Sequence, residues 1–173
     1  MALAIPYSLL TEGLYNGIIF GISGMTCKAV GMVKTIYSHN NTSVNEKLIQ
    51  LDLEYNINMA SVLVRKYSKG RSQNVKEHIN NKTVNFEMVA KPNQTINDPI
   101  EMGLIYLSQI ITDIHNDLIS IESDINYHNT KWFNSMRTLD LKKKLTILEL
   151  HNGLLINRYN NFIRICSTFD KKK

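Results

Sequence analysis

An all-α fold, and within it a four-helix bundle, is predicted by three features of this 173-residue chain. Apolar residues recur at helical spacing in four long blocks, and most connections between the blocks are short. Eight glycines and three prolines leave little material for the dense turns of an all-β fold. The bundle has an apolar, Gly-rich N-terminal helix and a polar loop between helices 2 and 3. Residues 1–170 read as a single domain, long enough to bury a core without staples, and residues 171–173 (KKK) as a basic C-terminal end.

The first block runs from about Pro6 to Tyr37. Tyr7, Leu10, Leu14, Ile18, Met25, Ala29, Val33 and Ile36 follow three- and four-residue steps, while Leu9, Ile19, Phe20, Ile22, Val30 and Met32 lie off that stripe. A helix apolar on nearly all sides belongs either in the centre of a bundle or in lipid. Five of the eight glycines sit here, and Gly costs a helix interior about 1 kcal/mol relative to Ala, so a compensating contact is expected. Gly13, Gly17 and Gly21 share a face and Gly24 follows, which predicts a close approach by another helix.

The second block opens at Ser43, which stands in capping-box spacing with Glu46, and closes at Gly70. Val44, Leu48, Leu51, Tyr55 and Val62 form its expected stripe, widened by Leu53, Ile57 and Val64. The third block has the clearest start: Asp98 suits the N-cap, Pro99 the first helical position, and Glu101 the positive end of the helix dipole. Ile100, Leu104, Leu107, Ile111, Ile114, Leu118, Ile121 and Ile125 then repeat in alternating steps of four and three, a heptad seam.

The fourth block runs from about Thr138 to Thr168, with a seam of Leu141, Leu145, Leu148, Asn152, Leu155, Tyr159, Phe162 and Cys166. Ile147, Leu150, Leu154, Ile156 and Ile163 give it a second apolar side, so contact with two neighbours is expected. Asn152 takes the seam position where a buried amide fixes register, and Gly153 beside it marks a bend or a close crossing. Between blocks two and three lies a polar stretch, 71–97, in which only 84–90 (VNFEMVA) reads as extended. Trp132 and Phe133 stand side by side in the last junction. They would either close the end of the bundle or anchor a partner.

These residues exclude several function classes. Two cysteines, Cys27 and Cys166, cannot build a disulfide framework or a four-thiolate zinc site, and both read as inert thiols in apolar surroundings. No Glu-x-x-His pair, nucleophile elbow or Gly-rich phosphate loop occurs, so no catalytic residue, metal ligand or cofactor is assigned and a non-enzymatic protein is expected. Nothing matches the signature of a known family. Of 20 Lys and Arg against 15 Asp and Glu, the stretch from Arg65 to Lys82 holds Arg65, Lys66, Lys69, Arg71, Lys76 and Lys82 against Glu77 alone. The whole net charge of +5 is therefore local.

Two functions from different classes follow. The favoured one is an interaction or structural module that binds a protein partner or itself through apolar helix seams. The other is a bundle that associates with or permeabilises anionic membrane, using helix 1 and the basic patch. Only Tyr67 is interleaved with the basic residues, which argues against nucleic acid. The apolar N-terminal stretch lacks the basic start of a secretory signal, so an intracellular place, cytoplasm or virion, is expected, with peripheral membrane contact under the second reading. The 20 Asn, 21 Ile and 15 Lys imply an AT-rich genome, that of a protist, a large DNA virus or an AT-rich bacterium.

Overall fold

The computed structural model describes residues 7–39, 41–72, 99–131 and 139–170, with side chains placed over 17–39, 41–66, 99–131 and 139–168. Five helices make up these residues: α1 (Tyr7–Ser38), α2 (Thr42–Gln50), α3 (Leu53–Ser72), α4 (Pro99–Asn129) and α5 (Lys142–Asp170). The fold is all-α, and no strand occurs among the described residues. The expected N-cap Asp98, the extended piece at 84–90 and the Trp132–Phe133 pair lie outside them.

The long helices form two antiparallel hairpins. In the first, Lys34 of α1 meets Glu54 of α3, Thr26 Oγ1 donates to Ser61 Oγ, and Arg65 donates to Ser23 Oγ. In the second, Asp124 of α4 pairs with Lys144 of α5, Asp117 with His151, and Arg158 donates to the carbonyl of Tyr106. The hairpins join chiefly through α1 and α4, whereas α3 meets α5 only over a short stretch. The four long helices thus run up, down, up and down, with α1 and α4 neighbours pointing the same way: Ile18 lies beside the stretch from Ile105 to Thr112, and Lys28 beside His115.

The heptad seams form the core. From Leu104 to Ile125 every seam residue of α4 is buried, with Ile110 added. Leu141 just before α5 and Leu148, Asn152, Leu155, Phe162 and Cys166 on it are buried, and Leu145 and Tyr159 pack against the core. Ile22, Ala29, Val33 and Ile36 supply the inner face of α1. Each such aliphatic contributes about 1.5–3 kcal/mol over an exposed one, so these three faces dominate the folding free energy.

The second block is two helices, not one. Asn41, not Ser43, is the N-cap of α2, its Oδ1 accepting from Val44 N at 3.2 Å. The chain then breaks at Leu51–Asp52, where Asp52 takes φ 49°, a left-handed conformation that Asp tolerates better than most residues. The apolar spacing requires the break. Val44 and Leu48 are buried, and so are Leu53, Ile57, Ala60 and Val64, but the five-residue step from Leu48 to Leu53 cannot keep both sets on one face of a straight helix. Tyr55 and Val62, expected on the stripe, are exposed as a result.

Ending α2 early leaves the carbonyl of Leu51 without a helical partner. Asn152 Nδ2 donates to it at 2.8 Å and Asn56 Nδ2 at 3.0 Å, while Asn56 Nδ2 also lies 3.2 Å from Asn152 Oδ1. The buried amide in the α5 seam therefore binds a helix end on the other hairpin.

The glycines of α1 do not do what their spacing predicts. A Cβ built on Gly17, Gly21 or Gly24 meets nothing within 4 Å, and all three face outward. Among the described residues, no helix approaches them. Gly13 lies in α1, but its surroundings fall outside the described side chains. Gly153 is likewise open and marks no close crossing. The close approach occurs at Gly103 of α4, where a Cβ would stand 2.6 Å from Cδ2 of the buried Phe162.

One substitution should thus have opposite signs at two sites. Gly103→Ala should destabilise by about 1–3 kcal/mol through overpacking against Phe162, whereas Gly21→Ala should stabilise by about 0.5–1 kcal/mol; urea midpoints read both. Asn152→Leu, which removes the amide donor to the carbonyl of Leu51 but leaves the Lys47–Glu149 ion pair between α2 and α5, should cost about 1–3 kcal/mol by the same measurement.

Candidate functional site

Three surfaces carry unusual chemistry. The first is the outer side of α5. Ile147, Leu150 and Leu154 succeed one another at steps of three and four and are all exposed, Leu150 to 61%. This strip of the helix's second apolar side is therefore exposed, and among the described residues no second helix covers it. Ile156 is also exposed. The strip ends one turn before Arg158, whose guanidinium stacks 5.7 Å from the centroid of the exposed Tyr106 ring.

The second surface is the outer face of α1. Gly17, Phe20, Gly21, Gly24 and Cys27 are its exposed residues over almost three turns, and none carries charge. Phe20 is 78% exposed. The expectation that Cys27 sits among apolar neighbours is corrected here: its thiol is exposed, while that of Cys166 is buried. Beside this face runs the end of α3. Arg65 reaches Ser23, which lies one turn from both Phe20 and Cys27, with an Nη2–Oγ distance of 3.3 Å.

Of the basic patch, Arg65 and Lys66 are exposed on α3, Lys69 and Arg71 occupy its last turns with side chains outside the described set, and Lys76 and Lys82 lie outside the described residues. The structure thus brings the first part of the patch to the outer face of α1, a juxtaposition that sequence order does not reveal. Trp132 and Phe133 cannot be placed on either surface, being outside the described residues.

The third surface is the polar edge between α4 and α5. Asp117 Oδ2 lies 2.6 Å from His151 Nδ1 with both side chains mostly shielded, and Lys144 bridges Asp124 and the carbonyl of Ser120. No group of three or more His, Cys, Asp and Glu that could hold a metal ion occurs among the described residues. Charge is segregated by helix: α4 carries Glu101, Asp113, Asp117, Glu122 and Asp124 with no Lys or Arg, while α3 carries Arg65, Lys66, Lys69 and Arg71 against Glu54 alone. Two titrations respond to these surroundings. Burial lowers the pKa of His115 from 6.5, helped by the Lys28 ammonium, and burial raises that of Tyr37 from 10.0, helped by Glu54 and Asp52.

An all-helical bundle with exposed apolar faces defines the class only broadly. Comparison with known proteins narrows the lineage. The chain is 33% identical, over 173 aligned residues, to the uncharacterized protein L717 of Acanthamoeba polyphaga mimivirus, the alignment covering 98% of this chain and 84% of that protein. It belongs to that protein's family. A virus is one of the origins that the residue composition allows, and it is the one this relative represents. No family model matches the chain, and no solved structure does.

Sequence reasoning missed the Gly103–Phe162 contact, the exposure of Phe20 and the capped carbonyl of Leu51. Only the last had a signal, the five-residue step between buried Leu48 and Leu53.

The His115 shift fixes one sign. Its folded pKa lies below the unfolded 6.5, so the unfolded chain binds the extra proton first. The stability this group contributes is present above about pH 6.5 and is lost as pH falls through the folded value. His115→Gln should lose less stability than the wild type between about pH 7.5 and pH 5, measured by urea unfolding at each pH.

Proposed function

We propose that this protein is a non-enzymatic association module of a viral protein family, a helical bundle that binds a protein partner, a second copy of itself foremost. The contact surface differs from the one that the seams suggested. Both heptad seams are filled inside the bundle, so the association surface is the outer strip Ile147–Leu150–Leu154 of α5. That strip is the observation that carries the reading. Scattered exposed aliphatics are ordinary on any protein, but three consecutive ones on one helix edge form a continuous apolar line.

A line along one helix is self-complementary under a two-fold axis, since antiparallel pairing sets Leu150 of one copy against the same strip of the other. Burying such side chains contributes about 1.5–3 kcal/mol each at most, enough in sum for micromolar association once orientation costs are subtracted. A structural role in the cytoplasm of an infected cell or in the virion accords with this reading.

Sedimentation equilibrium over a range of concentrations tests it. The wild type should show a mass rising above the 19.9 kDa monomer, and Leu150→Glu should remain monomeric with an unchanged helical circular dichroism spectrum, because residue 150 is exposed. A wild type that stays monomeric at every concentration would remove self-association.

A further inference from the structure

We propose that Asn152 is a site of self-catalysed deamidation, closed while α5 is docked on the α2–α3 kink and open when the two hairpins part. This chemistry belongs to the α5 seam and does not depend on self-association through the outer strip.

Asn152 is followed directly by Gly153. An asparagine side chain is attacked most readily by the next backbone nitrogen when that residue is glycine, which has no Cβ to obstruct the approach and lets the backbone rotate into it. The step needs only atoms of this chain and water. The nitrogen of Gly153 bonds to Cγ of Asn152 while the Cγ–Nδ2 bond breaks, and the proton of the Gly153 amide leaves with Nδ2 as ammonia. Water then opens the resulting cyclic imide at one carbonyl or the other. The products are aspartate, or isoaspartate, whose backbone runs through Cγ and is one methylene longer.

Packing does not call for glycine at this position. Residue 153 is exposed, and a Cβ built on it meets nothing within 4 Å, although glycine is disfavoured in a helix interior relative to alanine. Its marked chemical effect is on the reactivity of the residue before it.

The fold closes the site in two ways. Residues 142–170 are helical throughout, so the N–H of Gly153 is turned along the axis toward the carbonyl four residues back and away from the Asn152 side chain. That side chain is itself held. Asn152 is only 5% exposed, its Nδ2 donates to the carbonyl of Leu51 at 2.8 Å, and its Oδ1 accepts from Asn56 Nδ2 at 3.2 Å. The leaving nitrogen is thus the atom that joins α5 to the end of α2. Attack requires the helical turn and the Leu51 contact to open together, as they do when the hairpins separate.

Redocking does not reverse the change. A carboxylate at 152 has no proton to donate to the Leu51 carbonyl and places a negative charge in the seam between buried Leu148 and Leu155. Isoaspartate also lengthens the backbone within that turn. A chain that has spent time undocked is therefore marked covalently and returns to the bundle less stable than before.

Incubation of the purified full chain in mildly alkaline buffer, with and without guanidinium chloride, tests the proposal. Peptide mapping by mass spectrometry follows the amide-to-acid mass gain at Asn152 separately from Asn16, which also precedes a glycine. Conversion at Asn152 should be at least about 100-fold slower in the native chain than in the unfolded one, the ratio being set by the opening equilibrium. Asn56→Ala, which removes the second amide on the Leu51 carbonyl, should raise the native rate about 3- to 10-fold and leave the unfolded rate unchanged. Asn152→Asp should unfold at a lower urea concentration than the wild type, and the two conversion rates decide the matter even if this variant does not fold. Equal native and unfolded rates, no conversion in the unfolded chain, or a native rate that Asn56→Ala leaves unchanged would overturn the proposal.

Discussion

The carbonyl of Leu51 has to find hydrogen-bond donors because the chain cannot bury Val44, Leu48 and Leu53 from one straight helix. Breaking the helix at Asp52 re-phases the apolar face, and Asn152 on α5 supplies the donor that the broken helix lacks. This pairing sets the level of α5 against the first hairpin. With Asn152 at that level, its seam neighbours Leu148 and Leu155 enter the core, His151 meets Asp117 and Phe162 covers Gly103. A single unsatisfied backbone oxygen thereby ties the register of one hairpin to the kink of the other. A Leu at 152 would pack as well but could not select that register.

What could be read in advance, and what could not, follows the same logic. The α4 seam was legible because its steps alternate strictly between four and three and each position ends in the core. The α5 seam was legible for the same reason, including the buried place of Asn152. The partner of that amide was not, because a helix terminus inside an apparently continuous block leaves no local mark except a misplaced step. The glycines misled because spacing reports that residues share a face and never says which way the face points. In α1 it points outward, and the intimate contact is made by the isolated Gly103. The second apolar side of α5 was legible in part: α5 meets two neighbours, α4 and α3, while Ile147, Leu150 and Leu154 stay exposed.

The distribution of polar contacts gives the molecule two distinct sides. Between α4 and α5 the ion pairs are cross-helix and local: Asp117 with His151, Asp124 with Lys144. Between α1 and α3 the links are small hydroxyls, Thr26 with Ser61 and Ser23 with Arg65, with one ion pair at the far end. The acidic helix α4 is partly balanced by α5, through His151 and Lys144. Membership in a mimivirus protein's family sets these surfaces in a lineage. Their chemistry, however, is read from this chain's own residues.

The paired-hairpin arrangement also bears on how the molecule comes together. α1 with α3, and α4 with α5, each join segments that are near neighbours along the chain, so most native pairings close short loops and chain-entropy costs are modest. The distant pairing of α1 with α4 need come only after each half exists. Backbone amides of α4 and α5 should then exchange with solvent as one cooperative unit, and those of α1 and α3 as another of lower protection, since α3 has the thinner set of neighbours. Asn152, reaching from one unit to the kink of the other, is the residue whose hydrogen bond reports that the two have docked.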